Sequence, residues 1–145
     1  MTAVQSKTEV KKVLIVDDDP VDQRFIKRAL SKAREDVVID VASDGTVGLR
    51  AIADSEELPD VVIFDLNMPR LDGIGFIYAL RENPRTRHLP ALALSTSMDE
   101  QEIRNCYRKG TNAYMIKPAS LEGYDRLARS IVEFWFDVAT TPGPR

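Results

Sequence analysis

A three-layer α/β architecture around a parallel five-stranded sheet is what this sequence predicts, and three observations carry it. Apolar runs of strand length alternate with amphipathic stretches of helix length, the pattern of successive βα units. Four of the apolar runs end on reactive polar groups: Val13 to Val16 on Asp17-Asp18, Val61 to Phe64 on Asp65, Ala91 to Leu94 on Ser95, and Ala113 to Ile116 on Lys117. A strand buried on both faces has no reason to finish on a carboxylate unless that group acts at the rim of the sheet. The length, 145 residues, suits one domain that buries roughly two-thirds of its unfolded surface without a disulfide or structural metal.

The elements follow in order. The first strand, around residues 12 to 17, leads to a helix that opens near Pro20, a residue favoured in the first turn, and runs through Phe25, Ile26, Ala29 and Leu30. Val37 to Ala42 is the second strand, and Ser43-Asp44 offers caps for a helix carrying Val47, Leu49 and Ile52. The third strand ends at Asp65; its helix follows Gly73 with Phe76, Ile77 and Leu80 until Asn83-Pro84 stops it. Asp72-Gly73 reads as a turn. The fourth strand begins after Pro90, and its helix covers about Asp99 to Lys109, with Gly110 as a left-handed C-cap. The fifth strand, about Asn112 to Lys117, passes through Pro118 into a last helix from about Ser120 to Val138. Residues 1–10 read as a flexible N-terminal segment, 11–139 as one folded domain, and 140–145 as a frayed tail.

Right-handed crossovers leave few arrangements for five βα units, and the flavodoxin-like order 2-1-3-4-5 is the common one. That order makes strands 1, 3, 4 and 5 consecutive neighbours. These are the four that end in Asp, Asp, Ser and Lys, and ligands in such sheets bind at the carboxyl ends near the switch point between strands 1 and 3. Topology and chemistry therefore select the same place.

Composition narrows the function. Lys and Arg number 20 against 23 Asp and Glu, which gives no electrostatic support for nucleic-acid binding. The single Cys106 permits no intrachain disulfide and reads as a helix packing residue, and no Cys/His cluster exists to hold zinc. The first twelve residues lack the apolar core of a secretory signal, and no run approaches the length of a membrane helix. The expectation is a cytoplasmic protein without membrane association. Arg81, Arg85 and Arg87 read as a basic cluster on a solvated loop, and His88, between Pro84 and Pro90, as a loop residue without a phosphodonor role.

Asp17, Asp18 and Asp65 at adjacent strand ends repel one another unless a cation joins them. Oxygen donors without His or Cys point to a hard divalent ion, and Mg²⁺ suits best because it takes one or two carboxylates, keeps waters and accepts a phosphate oxygen. The fitting donors are Asp18, Asp65 and the backbone carbonyl of Asn67, with Asp17 acting through water. The plainer reading makes Asp17, Asp18 and Asp19 a helix N-cap cluster before Pro20, and Asp19 fits that part.

Taken together, Asp17-Asp18 after strand 1, Asp65 with Asn67-Met68-Pro69 and Asp72-Gly73 behind it, Ser95 after strand 4 and Lys117-Pro118 after strand 5 resemble the receiver domain of two-component response regulators in its single-domain form. Ser95 follows Asp65 by thirty residues and Lys117 follows Ser95 by twenty-two, spacings that also fit the family. The resemblance implies a phosphoacceptor signalling protein, and no enzyme in the ordinary sense. Asp65 would accept a phosphoryl group from a sensor histidine kinase, Lys117 and Mg²⁺ would neutralise charge, and Ser95 would donate a hydroxyl hydrogen bond. It further implies that Tyr114 acts with Ser95 as the switch, and that the Lys117–Pro118 bond is cis. Thr96 stands where the family usually has a small residue. Leu94 to Ser97 and Glu133-Phe134-Trp135 resemble regulators paired with phytochrome-type kinases.

Two other classes compete. A Mg²⁺-dependent phosphatase that also forms an aspartyl phosphate needs an acid two residues after its nucleophile, where this chain has Asn67. A flavodoxin-like cofactor binder needs backbone donors and glycines at the first rim, where this chain has acids. The last helix is broadly apolar, with Leu121, Tyr124, Leu127, Ala128, Ile131, Trp135 and Val138 on one stripe widened by Val132, Phe134 and Phe136. It reads either as a wide contact with neighbouring helices and the tail or as an exposed patch that makes a homodimer, with Tyr124, Ile131, Phe134, Trp135 and Phe136 in the interface.

Overall fold

Runs such as Val-Leu-Ile-Val and Ala-Leu-Ala-Leu suit a strand covered on both faces, and in the computed structural model, which describes residues 9–142, they form the centre of one parallel sheet. The strands are β1 (Lys11–Val16), β2 (Val37–Ala42), β3 (Val61–Phe64), β4 (Ala91–Ser95) and β5 (Ala113–Ile116), in the order β2-β1-β3-β4-β5. Every pairing is parallel, with Val16 opposite Ala42 on one side and Phe64 on the other, and Ser95 opposite Ile116. This is the flavodoxin-like arrangement expected. Helices α1 (Pro20–Ala33) and α5 (Leu121–Ile131) cover one face, and α2 (Gly45–Asp54), α3 (Gly73–Glu82) and α4 (Glu100–Arg108) lie on the other. Residues 1–8 of the expected N-terminal segment and 143–145 of the expected tail lie outside the described residues.

Each helix begins where an oxygen side chain can take an orphan N–H. Asp19 accepts from Val21 N, Asp44 from Val47 N, Asp72 from Gly75 N, Asp99 from Glu102 N and Ser120 from Gly123 N. The packing is as specific as the capping. A Cβ on Gly48 would lie 3.0 Å from Val16 Cγ2 and 3.2 Å from the Phe76 ring, so glycine lets α2 sit close against the sheet. That close approach turns Val47 outward, away from the buried stripe where the sequence pattern put it. Gly110 follows α4 with φ at 109°, the left-handed exit expected of it.

Three expectations are corrected. The Lys117–Pro118 bond is trans, like every described peptide bond, and trans is the isomer that most X-Pro bonds favour. Arg81 lies in the last turn of α3 and Arg85 in the loop after it, and neither guanidinium is left to solvent. The Arg81 guanidinium donates to the Gly110 and Arg87 carbonyls and to Asn112 Oδ1, while Arg85 donates to the carbonyls of Ile52, at 2.9 Å, and Ser55. The ends of α2 and α4 leave carbonyls without helical partners, and guanidinium groups satisfy them.

The third correction concerns the last helix, which is α-helical only to Ile131 and continues as a π-helix over Val132–Val138. The wider turn changes the phase of the side chains. Val132 and Phe136 turn into the core, where the Phe136 ring lies beneath the Lys11 ammonium and the Arg34 guanidinium, 5.9 and 5.6 Å from its centroid. Tyr124 and Ile131 are buried in the same cluster, with the Tyr124 ring 5.5 Å from that of Phe25. Three of the five residues expected in an interface are therefore internal. Phe134 is 51% exposed with Trp135 half-buried against it, and Leu121 and Val138 are the other exposed large apolar residues of this helix.

Phe76 is buried with its ring 5.5 Å from that of Phe64, beneath the switch point of the sheet. Phe76→Ala is expected to lower stability by about 3–5 kcal/mol, read from the midpoint of urea unfolding at unchanged slope.

Candidate functional site

The ladder of the sheet runs one residue past the strands and thereby places the reactive groups. Asp17 N donates to Ala42 O at 3.0 Å, Asp65 N to Val16 O at 2.9 Å and Lys117 N to Ser95 O at 2.8 Å. The three side chains thus leave the carboxyl rim from fixed backbone positions. Asp18, the second residue after β1, is exposed, and one carboxylate oxygen from each of Asp17, Asp18 and Asp65 lies within 4.8 Å of the others. Such an all-oxygen set is the donor chemistry of a hard divalent cation.

Lys117 closes the site from β5. Its ammonium lies 3.0 Å from Asp17 Oδ2, 2.8 Å from Asp65 Oδ2 and 2.6 Å from Asp22 Oδ2. The other Asp65 oxygen accepts from Leu66 N at 2.7 Å, so each of the two carboxylate oxygens has a separate partner. Burial by itself would push the Lys117 ammonium down, but the hydrogen bonds it donates to Asp22, Asp65 and Asp17 outweigh it and hold the group well above the ordinary lysine value. Burial pushes the Asp17 carboxyl up to about 6, against the Asp19 N–H and Lys117, which pull it down.

Asp22 did not figure in the sequence reading, where an acid in the first turn of a helix looks like a dipole-favoured one. A signal was present all the same. Asp22 stands four residues before Ile26 and seven before Ala29, at the head of the buried stripe of α1. An acid on the inward stripe needs a partner, and Lys117 is that partner.

The loop from Asp65 to α3 is fixed at both ends. A Cβ on Gly73 would lie 2.4 Å from Asp65 O and 2.7 Å from Leu66 Cα, so only glycine permits the loop to fold back over the strand end. Arg70 has φ at 66°, the only positive value outside glycine among the described residues. Its guanidinium reaches the buried carboxylate of Asp44 through Nε at 2.9 Å and through Nη2. Asn67, whose carbonyl was expected to face a cation, lies exposed on this loop.

Ser95 is buried at the end of β4, and its Oγ accepts from Ser97 N at 3.2 Å. The Tyr114 hydroxyl donates to Ser97 O at 2.8 Å, while the Tyr114 backbone N–H donates to the Tyr107 hydroxyl at 2.9 Å. The two residues expected to form a switch therefore hold the same short loop, one from each side. Thr96 is exposed beside it.

Residues 13–128 match the sequence model of the response regulator receiver domain. The chain belongs to that family. The receiver is 30% identical over 136 residues to the probable methanogenesis regulatory protein FilR2 of Methanothrix harundinacea, a match spanning 91% of this chain and 88% of the relative. It is 26% identical over 137 residues to the response regulator Rcp1 of Synechocystis, spanning 91% and 93%. Among solved structures it matches the phosphorylated cyanobacterial phytochrome response regulator RcpA with a TM-score of 0.87 and 29% identity over 92% of this chain and 99% of the other. The Mn²⁺-bound form of Rcp1 gives 0.83 and 25% over the same shares, 92% and 99%. No helix among the described residues is long and apolar enough to cross a membrane.

Asp17 also couples the stability of the receiver to pH. Its folded-state value, about 6, lies above that of an unfolded aspartate. The folded receiver holds this proton the more tightly, so Asp17 contributes stability below about pH 4 that is lost as pH rises through the folded-state value. In a chelating buffer, Asp17→Asn is expected to flatten the fall in unfolding free energy between about pH 4 and pH 7, measured by urea titration at each pH.

Proposed function

We propose that this receiver accepts a phosphoryl group on Asp65 from a phosphohistidine of a sensor histidine kinase, with Mg²⁺ in the acidic cluster. The observation that carries the reading is the placement of Asp65. It is an acid at the end of a buried strand, with Oδ2 on the Lys117 ammonium and the carboxylates of Asp17 and Asp18 beside it. A carboxylate ionised at neutral pH needs no general base to attack phosphorus. The new bond joins an Asp65 oxygen to phosphorus, the phosphorus–nitrogen bond of the donor breaks, and the imidazole leaves with that electron pair and takes up a proton.

Phosphoryl transfer depends on positioning and charge neutralisation. Lys117 supplies one fixed positive charge from β5. Asp17, Asp18 and the Asn67 carbonyl are the groups that would hold Mg²⁺ with Asp65, and a bound divalent cation neutralises the phosphoryl oxygens and orients them. The Mn²⁺-bound form of Rcp1 supports this reading of the oxygen cluster. Ser95 is the hydroxyl that would donate to the phosphoryl group. Its oxygen already accepts from Ser97 N, and Tyr114 holds the Ser97 carbonyl, so a movement of Ser95 towards the phosphoryl group carries the loop and the tyrosine with it.

The partner we propose is a phytochrome-type kinase, on the strength of the likeness to RcpA and Rcp1. The output is a contact with another protein or with a second copy, and in the latter case Leu121, Phe134 and Val138 are the most exposed apolar groups of the last helix, with Trp135 partly accessible beside Phe134. Neither rests on a nucleic-acid contact, and a cytoplasmic location fits both.

Incubation with Mg²⁺ and acetyl phosphate is expected to add one labile phosphoryl group by intact mass. Asp65→Asn should abolish the addition and Lys117→Ala should reduce it at least tenfold, the loss typical of a charged group that acts mainly in the transition state. A wild-type protein that gains no phosphate, or an Asp65→Asn variant that still gains it, overturns the assignment.

A further inference from the structure

Lysine has three N–H donors, and in this receiver Lys117 spends all three on carboxylates, at 2.6 Å on Asp22, 2.8 Å on Asp65 and 3.0 Å on Asp17. The three acceptors do not stand in the same relation to the site. Asp17 and Asp65 belong to the oxygen cluster that can hold a cation, and Asp22 does not. Asp22 comes instead from the first turn of α1 and lines a cleft with Phe25, Pro118, Ser120 and Tyr124. Its side chain is 24% exposed and that of Lys117 is 6% exposed, so the pair is shielded from water and its attraction is stronger than that of a surface pair.

We infer that Asp22 is a positioning residue that keeps the Lys117 ammonium in the site when Asp17 and Asp65 are otherwise engaged. Asp17 and Asp65 share their charge with a divalent cation once one is bound, and that cation also repels the ammonium. Esterification of Asp65 then removes the charge that held the second donor, which turns to the phosphoryl oxygen. Through both changes Asp22 alone of the three keeps a full negative charge for Lys117. Without it, every partner left to the ammonium, Asp17 and Asp65 before transfer or Asp17 and the phosphoryl group after it, shares its charge with the cation, and the long flexible stem of Lys117 swings towards solvent.

The inference rests on reading Asp65 as the phosphoacceptor, and it makes a prediction opposite in sign to simple electrostatics. Removing a negative charge near the site should speed the approach of an anionic donor. If Asp22 positions Lys117, the isosteric Asp22→Asn instead slows phosphorylation by acetyl phosphate with Mg²⁺ about tenfold, the equivalent of one charge-assisted hydrogen bond. Asp22→Glu, which restores the charge, recovers part of the rate. Thermal melting of each variant verifies that it is folded. The second readout does not depend on phosphorylation: the Lys117 ammonium should give a slowly exchanging ¹H–¹⁵N resonance at saturating Mg²⁺ in the wild type and lose it in Asp22→Asn. A folded Asp22→Asn receiver that reacts as fast as the wild type or faster, or that keeps the ammonium resonance, overturns the role. If the wild type takes up no phosphate at all, the phosphoacceptor reading fails, and the resonance alone decides whether Asp22 holds Lys117.

Discussion

One ammonium group at the carboxyl rim makes the rest of this receiver possible. Asp17, Asp22 and Asp65 converge where the sheet and α1 meet, and carboxylates this close destabilise one another unless a positive charge lies between them. Lys117 is that charge, delivered from β5 by a backbone that is itself bonded to Ser95. The order of the strands then becomes an electrostatic requirement as well as a packing one. From β5, beyond β4, the long side chain of Lys117 crosses the rim to acids that arise from β1, β3 and α1.

The core serves the same end. β3 and β4 are buried along their whole length, and nothing polar interrupts them until the final rim residue. Buried apolar strands are rigid because their packing density is crystal-like, so a reactive group attached to the last rung inherits that rigidity. The loops that complete the rim are fastened separately. Gly73 lets one fold back over Asp65, Arg70 ties it to Asp44 at the head of α2, and Tyr114 and Ser95 hold the loop after β4. The fixed strand ends carry the charges and the fastened loops carry the parts able to move.

Much of this was legible in the sequence because two periodicities and a set of strand-terminal residues agree with one another. Alternating strand-length and helix-length runs gave the five βα units, and Asp17, Asp18, Asp65 and Lys117 stood out as polar groups closing apolar runs. What escaped the reading was contributed by helices. Asp22 looks like an ordinary first-turn acid until the lysine that faces it is known. Arg81 and Arg85 look solvated because their partners are carbonyl groups at the ends of other helices, which carry no side-chain signal. The residues Val132 to Val138 were placed by a 3.6-residue period, and a π-helix does not obey it. Phe136 was accordingly assigned to a surface when it belongs to the core, and Tyr124 and Ile131, on the regular α-helical part, belong there too because α5 packs against α1.

That π-helical segment also bears on how such proteins diverge. The stretch that matches the receiver family ends at residue 128, and the change of helical winding begins at Val132. A π-turn is what an α-helix becomes when one residue is added without moving either end, so the segment has the form of an accommodated insertion. Its inward contacts are with Lys11 and Arg34 at the opposite end of the sheet from Lys117. A side-chain change on the outward face of this segment, at Phe134 or Val138, therefore acts far from the rim that carries the charges.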